Sequence, residues 1–277
     1  MCPHYEHHAQ SNPTQGAQVV MRVAAVLRAV GQFSSAGVTT ARVAELTALN
    51  RSTTHRLLTS LFTEGFIDHD VRLARWYPGP ELFLLGSLAA ARYDIADIAR
   101  ESVHTLAAQT GESAFLSARR GGETVCLIRE EGSFPIRSFV LYEGARFPLG
   151  VVSAGLAILS YQPDSEIDSY LETARLPSRF GESHSSSELW MRIARTRQTG
   201  YAVNPGLIVE GSWGMAATIF DERNQPSWAL SITGIENRFR PERQAELGAL
   251  LLEQAHIVTQ RLRGRHRVTP GSRNGDG

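Results

Sequence analysis

The chain has 277 residues, 42% hydrophobic and 20% charged, and its 28 basic and 28 acidic residues leave no net charge. This is the make-up of a soluble globular protein long enough for two domains, and no apolar run approaches the ~20 residues of a membrane span. Two cysteines, Cys2 and Cys126, exclude a disulfide framework and most cysteine-based metal sites, and the polar opening MCPHYEHHAQSNPTQG lacks the apolar core of a secretion signal, so a cytoplasmic protein is expected.

Residues 1–16 read as a disordered tail. Cys2, His4, His7 and His8 lie there, but Pro3, Asn12 and Pro13 interrupt the helix their spacing would need, so no metal is expected. Residues 17–31 form an amphipathic helix with Val19, Val23, Val26, Leu27 and Val30 on its stripe and Gly31 at its end. Arg22 lies off the stripe.

Residues 39–66 read as helix, turn, helix. Thr39 or Thr40 can cap the first helix, with Ala44 and Leu46 inward, and Asn50 can cap the second. At 100° per residue, Thr54, Leu57, Leu58, Leu61 and Phe62 share one side of the second helix. Ser52, Thr53, Arg56, Thr59, Ser60 and Thr63 share the other, and His55 sits at the edge. A surface helix normally carries Glu and Lys outward. This one carries hydroxyls and arginine, which donate to phosphate oxygens and base edges. An ordinary helical pair in a core is the plainer alternative.

The charge distribution adds to this. Between residues 16 and 80, Arg22, Arg28, Arg42, Arg51, Arg56, Arg72 and Arg75 face only Glu45, Glu64, Asp68 and Asp70. The chain has no lysine, so every cationic side chain is a guanidinium capable of planar, bidentate contact.

Residues 67–69 and 75–77 read as strands around 70–74, a hairpin directly after the second helix. It is either a wing that places Arg72 and Arg75 on phosphates or the minor groove, or a plain solvated hairpin. Residues 81–93, ELFLLGSLAAARY, form an apolar linker helix, read as a dimer contact or interdomain strut.

The order apolar helix, helix-turn-helix, wing, PGPELFLLG resembles the N-terminal domain of the IclR-type bacterial transcription regulators. The motifs that carry it are RSTTHRLL through GFI (Arg51–Leu58, Gly65–Ile67) and WYPGPEL through Gly86. The resemblance covers about 17–263 and divides the chain into a DNA-binding domain (17–80), the linker helix (81–93), an effector and oligomerisation domain (94–263) and a second tail (264–277).

Within 94–263 the pattern gives a helix over 94–110, strands over 113–118, 124–129 and 136–142, and helices from about 154, over 163–173 and over 186–198 with Trp190, Ile193 and Ala194 inward. A hairpin of 215–221 and 227–233 and a closing helix from about 241 to 263 follow. Together they make an α+β chain, and the resemblance implies a GAF-like antiparallel sheet. It also implies a pocket between that sheet and the segments facing it. Carried over position by position, its polar set is Ser153, Ala154, Asn204, Gly214, Ser231 and Thr233, with Leu149, Trp213 and Met215 as apolar lining. Asn204, Gly214, Val151, Val152 and Leu156 stand where family members often carry more polar or charged side chains. A roomier, more neutral pocket than that of members binding small oxo-acids is therefore expected, one for a carboxylic or aromatic acid of larger size, a lactone or a hydrazide-like compound.

The expectation is a ligand-responsive regulator, by family precedent a repressor, working without cofactor or membrane. Its partners would be a palindromic double-stranded DNA operator, a small-molecule effector and its own copies as a homodimer or dimer of dimers. Arg22, Arg51, Ser52, Thr53, His55, Arg56, Thr59, Arg72 and Arg75 are the candidate DNA contacts. Two alternatives stand beside it. One is a hydrolase using Ser153, although VVSAG lacks the first glycine of a nucleophile elbow and neither His184 nor His256 has an evident orienting acid. The other is a dimerisation or sensor module that does not bind DNA.

Overall fold

A computed structural model describes residues 15–90, 95–138 and 140–266. The chain divides into two compact units after residue 93. The tail over 1–14, the cap near 94 and the end beyond 266 lie outside the described residues.

The first unit holds three helices and a hairpin: α1 (Gln15–Gly31), α2 (Thr40–Thr47), α3 (Arg51–Thr63), β1 (Ile67–Asp70) and β2 (Arg75–Pro78), followed by α4 (Pro80–Ala90). Thr39 caps α2 by accepting from the Arg42 amide, and Asn50 caps α3 by accepting from the Thr53 amide at 2.8 Å. Between them Ala48 takes a left-handed φ of 52°, which makes the turn tight. Val26, Ala29, Val30, Val43, Leu58, Leu61, Ile67 and Trp76 close the core. Trp76 joins hairpin to helices: its amide and carbonyl pair with Val38, and its indole donates to Thr40 Oγ1 at 2.9 Å.

Three inward assignments differ from the sequence reading. On α2 the fully buried side chain is Val43, which the sequence reading does not single out, while Leu46 packs half-buried against the core as expected. Val19 is 50% exposed, because the core begins a turn later on α1. Phe62 is 48% exposed and meets only the edge of Trp76, at 6.3 Å between ring centres.

The second unit is α+β. Its six-stranded antiparallel sheet has the order β5-β4-β3-β8-β7-β6, from β3 (Ser113–Arg120), β4 (Glu123–Glu130), β5 (Arg146–Pro148), β6 (Tyr201–Pro205), β7 (Ser212–Phe220) and β8 (Pro226–Ile235). Alternation along the strands separates two cores. Ala114, Leu116, Met215, Ala217, Leu230 and Ile232 face α5 (Ile95–Thr110) and α10 (Pro241–His266). Phe115, Ala216 and Ala229 face α6 (Ser153–Ser160), α7 (Asp164–Ala174), the short α8 (Pro177–Phe180) and α9 (Ser186–Thr199).

Of residues 136–142, expected as a strand, the described ones, 136–138 and 140–142, are irregular. The outer edge of β4 is taken instead by the chain just after them: the Cys126 amide donates to Ala145, the Gly144 amide to Cys126, and Val125 pairs with Arg146. On α9 the buried residues are Leu189, Ile193 and Thr196, and Ala194 is exposed.

Gly132 sits where the chain leaving β4 crosses the end of α5, and a Cβ there would lie 2.1 Å from the Gly111 carbonyl oxygen. Backbone cannot rotate away as a side chain can. Gly132→Ala should therefore cost about 1–3 kcal/mol, read as a melting transition lowered by about 2–12 °C in scanning calorimetry.

Candidate nucleic-acid interface and ligand cavity

The exposed side of α3 follows from its cap and its period. Asn50 fixes where the helix starts, and Thr54 turns its hydroxyl onto the Asn50 carbonyl at 3.0 Å, committing that face inward with Leu58 and Leu61. Arg51, Ser52, His55, Arg56, Thr59 and Ser60 are then exposed, and Thr53 is half-buried. The helix itself contains no acid, and Glu64 forms its C-cap. Arg22 on α1 and Arg72 on the hairpin turn are also exposed. Arg75 behaves differently from the expectation. Its Nη1 donates to the carbonyls of Ala36 and Gly37, both at 2.8 Å, so its first task is to fasten the hairpin to the α1–α2 connection.

In the second unit a cavity lies where β7 and β8 meet the α6 N-terminus. Its lining includes Ser153, Ala154, Asn204, Trp213, Gly214, Ser231 and Thr233 from the sequence reading. The remaining wall, which sequence alone did not supply, is Val140, Leu141, Val152, Ile208 and Ser212. Two expected lining residues stand elsewhere. Met215 points to the opposite face, because alternation along β7 sends Gly214 to the cavity and Met215 to the α5–α10 core. Leu149 is buried among α6 and α9 side chains, and its carbonyl accepts from Tyr170 Oη at 3.0 Å. Trp213 borders the cavity and also packs on the α5–α10 core.

The polar character of the cavity is that of a donor. The Ser231 and Thr233 hydroxyls are 1% and 8% exposed and have no hydrogen-bond partner in the protein. Unpartnered buried hydroxyls cost free energy, which a ligand can recover. Ser153 and Ala154 begin α6, and Val152 gives that end no side-chain cap. Its amides thus remain free to meet an oxygen. Gly214 keeps the site open, since a Cβ there would lie 3.0 Å from Ser153 Oγ. Among the described residues no charged side chain lines the cavity. The cavity is small. About 30 Å³ is open to the centre of a water molecule, enough for about two waters.

Asn204 lines the cavity, but both ends of its amide are engaged by the protein. Nδ2 donates to the Val151 carbonyl at 2.6 Å, and Oδ1 accepts from the Leu207 amide at 3.1 Å. It braces the loop before α6 against the turn after β6. His184 follows α8 in the chain. It is fully buried, its Nδ1 lies 3.1 Å from the Phe180 carbonyl, and burial, with the Arg192 guanidinium second, holds its pKa below the ordinary 6.5 against the opposing carbonyls of Phe180 and Val151. Ser153 makes no bond to it, and the hydrolase alternative gains no histidine.

The comparisons with known proteins bear on both units. The family described as "Bacterial transcriptional regulator IclR C-terminal" matches residues 87–260, and that described as "IclR helix-turn-helix domain" matches 19–71. The HTH-type transcriptional regulator KipR of Bacillus subtilis is 28% identical over 226 residues, 81% of this chain and 89% of that protein. The acetate operon repressor of Salmonella typhimurium is 28% identical over 229 residues, 82% of this chain and 83% of that protein. The crystal structure of the Thermotoga maritima IclR superposes with a TM-score of 0.69 at 24% identity, covering 89% of this chain and 99% of that one, and so shares the fold.

A depressed histidine pKa means that the unfolded chain binds the proton more readily than the folded one, so stability falls as pH drops below about 6.5. Urea unfolding of the second unit between pH 7.5 and 5 should show that loss, and His184→Gln should flatten it. Asn204→Ala, which strands the Val151 carbonyl and the Leu207 amide, should cost about 1–3 kcal/mol in the same assay at pH 7.5.

Proposed function

This chain belongs to the IclR family of bacterial transcriptional regulators, and from that premise we propose which of its residues meet DNA and what class of ligand it senses. It is a DNA-binding regulator with an N-terminal helix-turn-helix domain and a C-terminal ligand-binding domain. The working boundaries are 17–80 for the first, 81–93 for the linker helix and 94–263 for the second.

What carries the DNA reading is the outward face of α3: Arg51, Ser52, His55, Arg56 and Thr59 exposed side by side, with no acid among them. Thr53, half-buried, contributes its hydroxyl at the edge, while Arg22 and Arg72 supply phosphate contacts. Arg75 holds the hairpin in place rather than reaching out. A homodimer or dimer of dimers sets two such helices on a palindromic operator, with half-sites about one helical turn apart or a multiple of that. The exposed apolar side chains of α1 (Val19, Val20, Met21) and α4 (Phe83, Leu84, Leu85, Leu88) support self-association, since a patch of that kind is seldom left in water. Repression is proposed from relatives such as the acetate operon repressor.

The ligand proposed is a small monocarboxylic acid. Its carboxylate meets the α6 N-terminus and the Ser231 and Thr233 hydroxyls, and its apolar end meets Val140, Leu141 and Ile208. An aromatic acid fits only if Val140, Leu141 and Ile208 draw apart. The ligand alters DNA affinity to the extent that it favours one conformation of the dimer over another.

Arg56→Ala should weaken operator binding by about 1–3 kcal/mol, and unchanged fluorescence anisotropy would remove Arg56 from the interface. In calorimetric titrations with acetate, glyoxylate, pyruvate and benzoate, at least one acid should bind, and Ser231→Ala should weaken it by about three- to tenfold. Binding of neutral lactones or hydrazides with no response to any acid would overturn the ligand class.

A further inference from the structure

The hairpin after α3 ends in a tip whose chemistry the DNA reading has not absorbed. Val71 is 80% and Leu73 60% exposed, with the exposed Arg72 between them. A four-residue turn gains nothing in folding by displaying two branched aliphatic side chains. The turn is also stiff. Asp70 Oδ1 accepts from the amides of Arg72 and Leu73 at 2.9 and 3.0 Å, and Ala74 holds a left-handed φ of 50°. Behind the tip, Arg75 clamps the arm to the Ala36 and Gly37 carbonyls and His69 stacks on Trp76 at 4.0 Å between ring centres.

We infer that Val71 and Leu73 form an apolar wedge for the minor groove beside the base pairs that α3 reads, with Arg72 on the adjoining phosphates. The inference rests on the DNA-binding reading above. Three observations favour this occupant. The arm continues directly from the proposed recognition helix, from Thr63 at its end to Ile67 at the start of β1. A four-residue strand reaches about 13 Å, and the turn beyond it has about 4 Å left to cover of the ~17 Å, half a helical turn, between a major-groove centre and the next minor groove. The carboxylate at the tip, Asp70, is turned onto its own backbone, so the charge displayed between the two apolar side chains is that of Arg72. Apolar side chains that enter a minor groove part a base step and bend the duplex, most easily at pyrimidine–purine steps. The wedge therefore selects a flexible TA or CA step in the flank without a hydrogen bond to any base edge.

The test uses the full chain and duplexes it enriches from a random-sequence library. The enriched duplexes should carry a TA or CA step at a fixed distance outside the core motif. The double variant V71S/L73S should bind them about ten- to a hundredfold more weakly, with an unchanged salt dependence and a smaller bend by end-to-end energy transfer. Arg72→Ala should instead lower the salt slope by about 1. Val71→Ile with Leu73→Met, which keeps the apolar bulk, should bind and bend like the natural chain. A serine variant equal to the natural chain in affinity and bend overturns the wedge, as does a core motif enriched with no preference in its flanks. A natural chain that enriches no duplex at all overturns the DNA-binding reading and the wedge with it.

Discussion

One side-chain amide ties the cavity together. Asn204 donates to the Val151 carbonyl and accepts from the Leu207 amide, which joins the loop feeding α6 to the turn leaving β6. The loop is held at two further points: Tyr170 bonds the Leu149 carbonyl, and the Leu149 amide reaches Gly122. With the loop secured on both sides, the free amides of the α6 N-terminus are held at one place over β7 and β8. A polar site works only if its donors are aimed before the ligand arrives. Here the aiming is done by groups that need never touch the ligand.

The first unit follows the same logic with a different device. The Asn50 cap fixes the start of α3, and so fixes which residues face out. Had α3 begun one residue later, the helix period would be unchanged, but the first turn would have lost its cap and the Asn50 carbonyl its bond to Thr54. The N-cap and the buried Thr54 therefore set the arginine and hydroxyl face as firmly as the leucines do.

Much of this was legible in the sequence, for reasons that differ between the units. Caps, helix periods and the hairpin of the first unit are local features, and residues a few positions apart decide them. In the second unit the strands that form consecutive hairpins were readable, and so was the hydroxyl pair on β8. What escaped was set by distant partners. The segment 136–142 has the composition of a strand, but the 144–148 chain occupies the outer edge of β4. Met215 has the chemistry of a pocket wall, but the pleat sends it to the other face. The engagement of Asn204 depends on a carbonyl 53 positions away, and the cavity volume depends on how Val140, Leu141 and Ile208 settle over it. None of these can be counted from periodicity.

The sheet order has a consequence for synthesis. β8 lies in the middle of the sheet, hydrogen-bonded to β3 on one side and β7 on the other. Ser113 thus waits for Thr233, and the sheet cannot close until nearly the whole second unit has left the ribosome. The first unit is complete in itself by residue 93. It can fold while the remainder is still being translated, at about 5–20 residues per second. For several seconds of its existence, then, each nascent chain carries a finished helix-turn-helix and an unfinished sensor, an interval that lasts until β8 and the α10 residues that cover its sheet have been made.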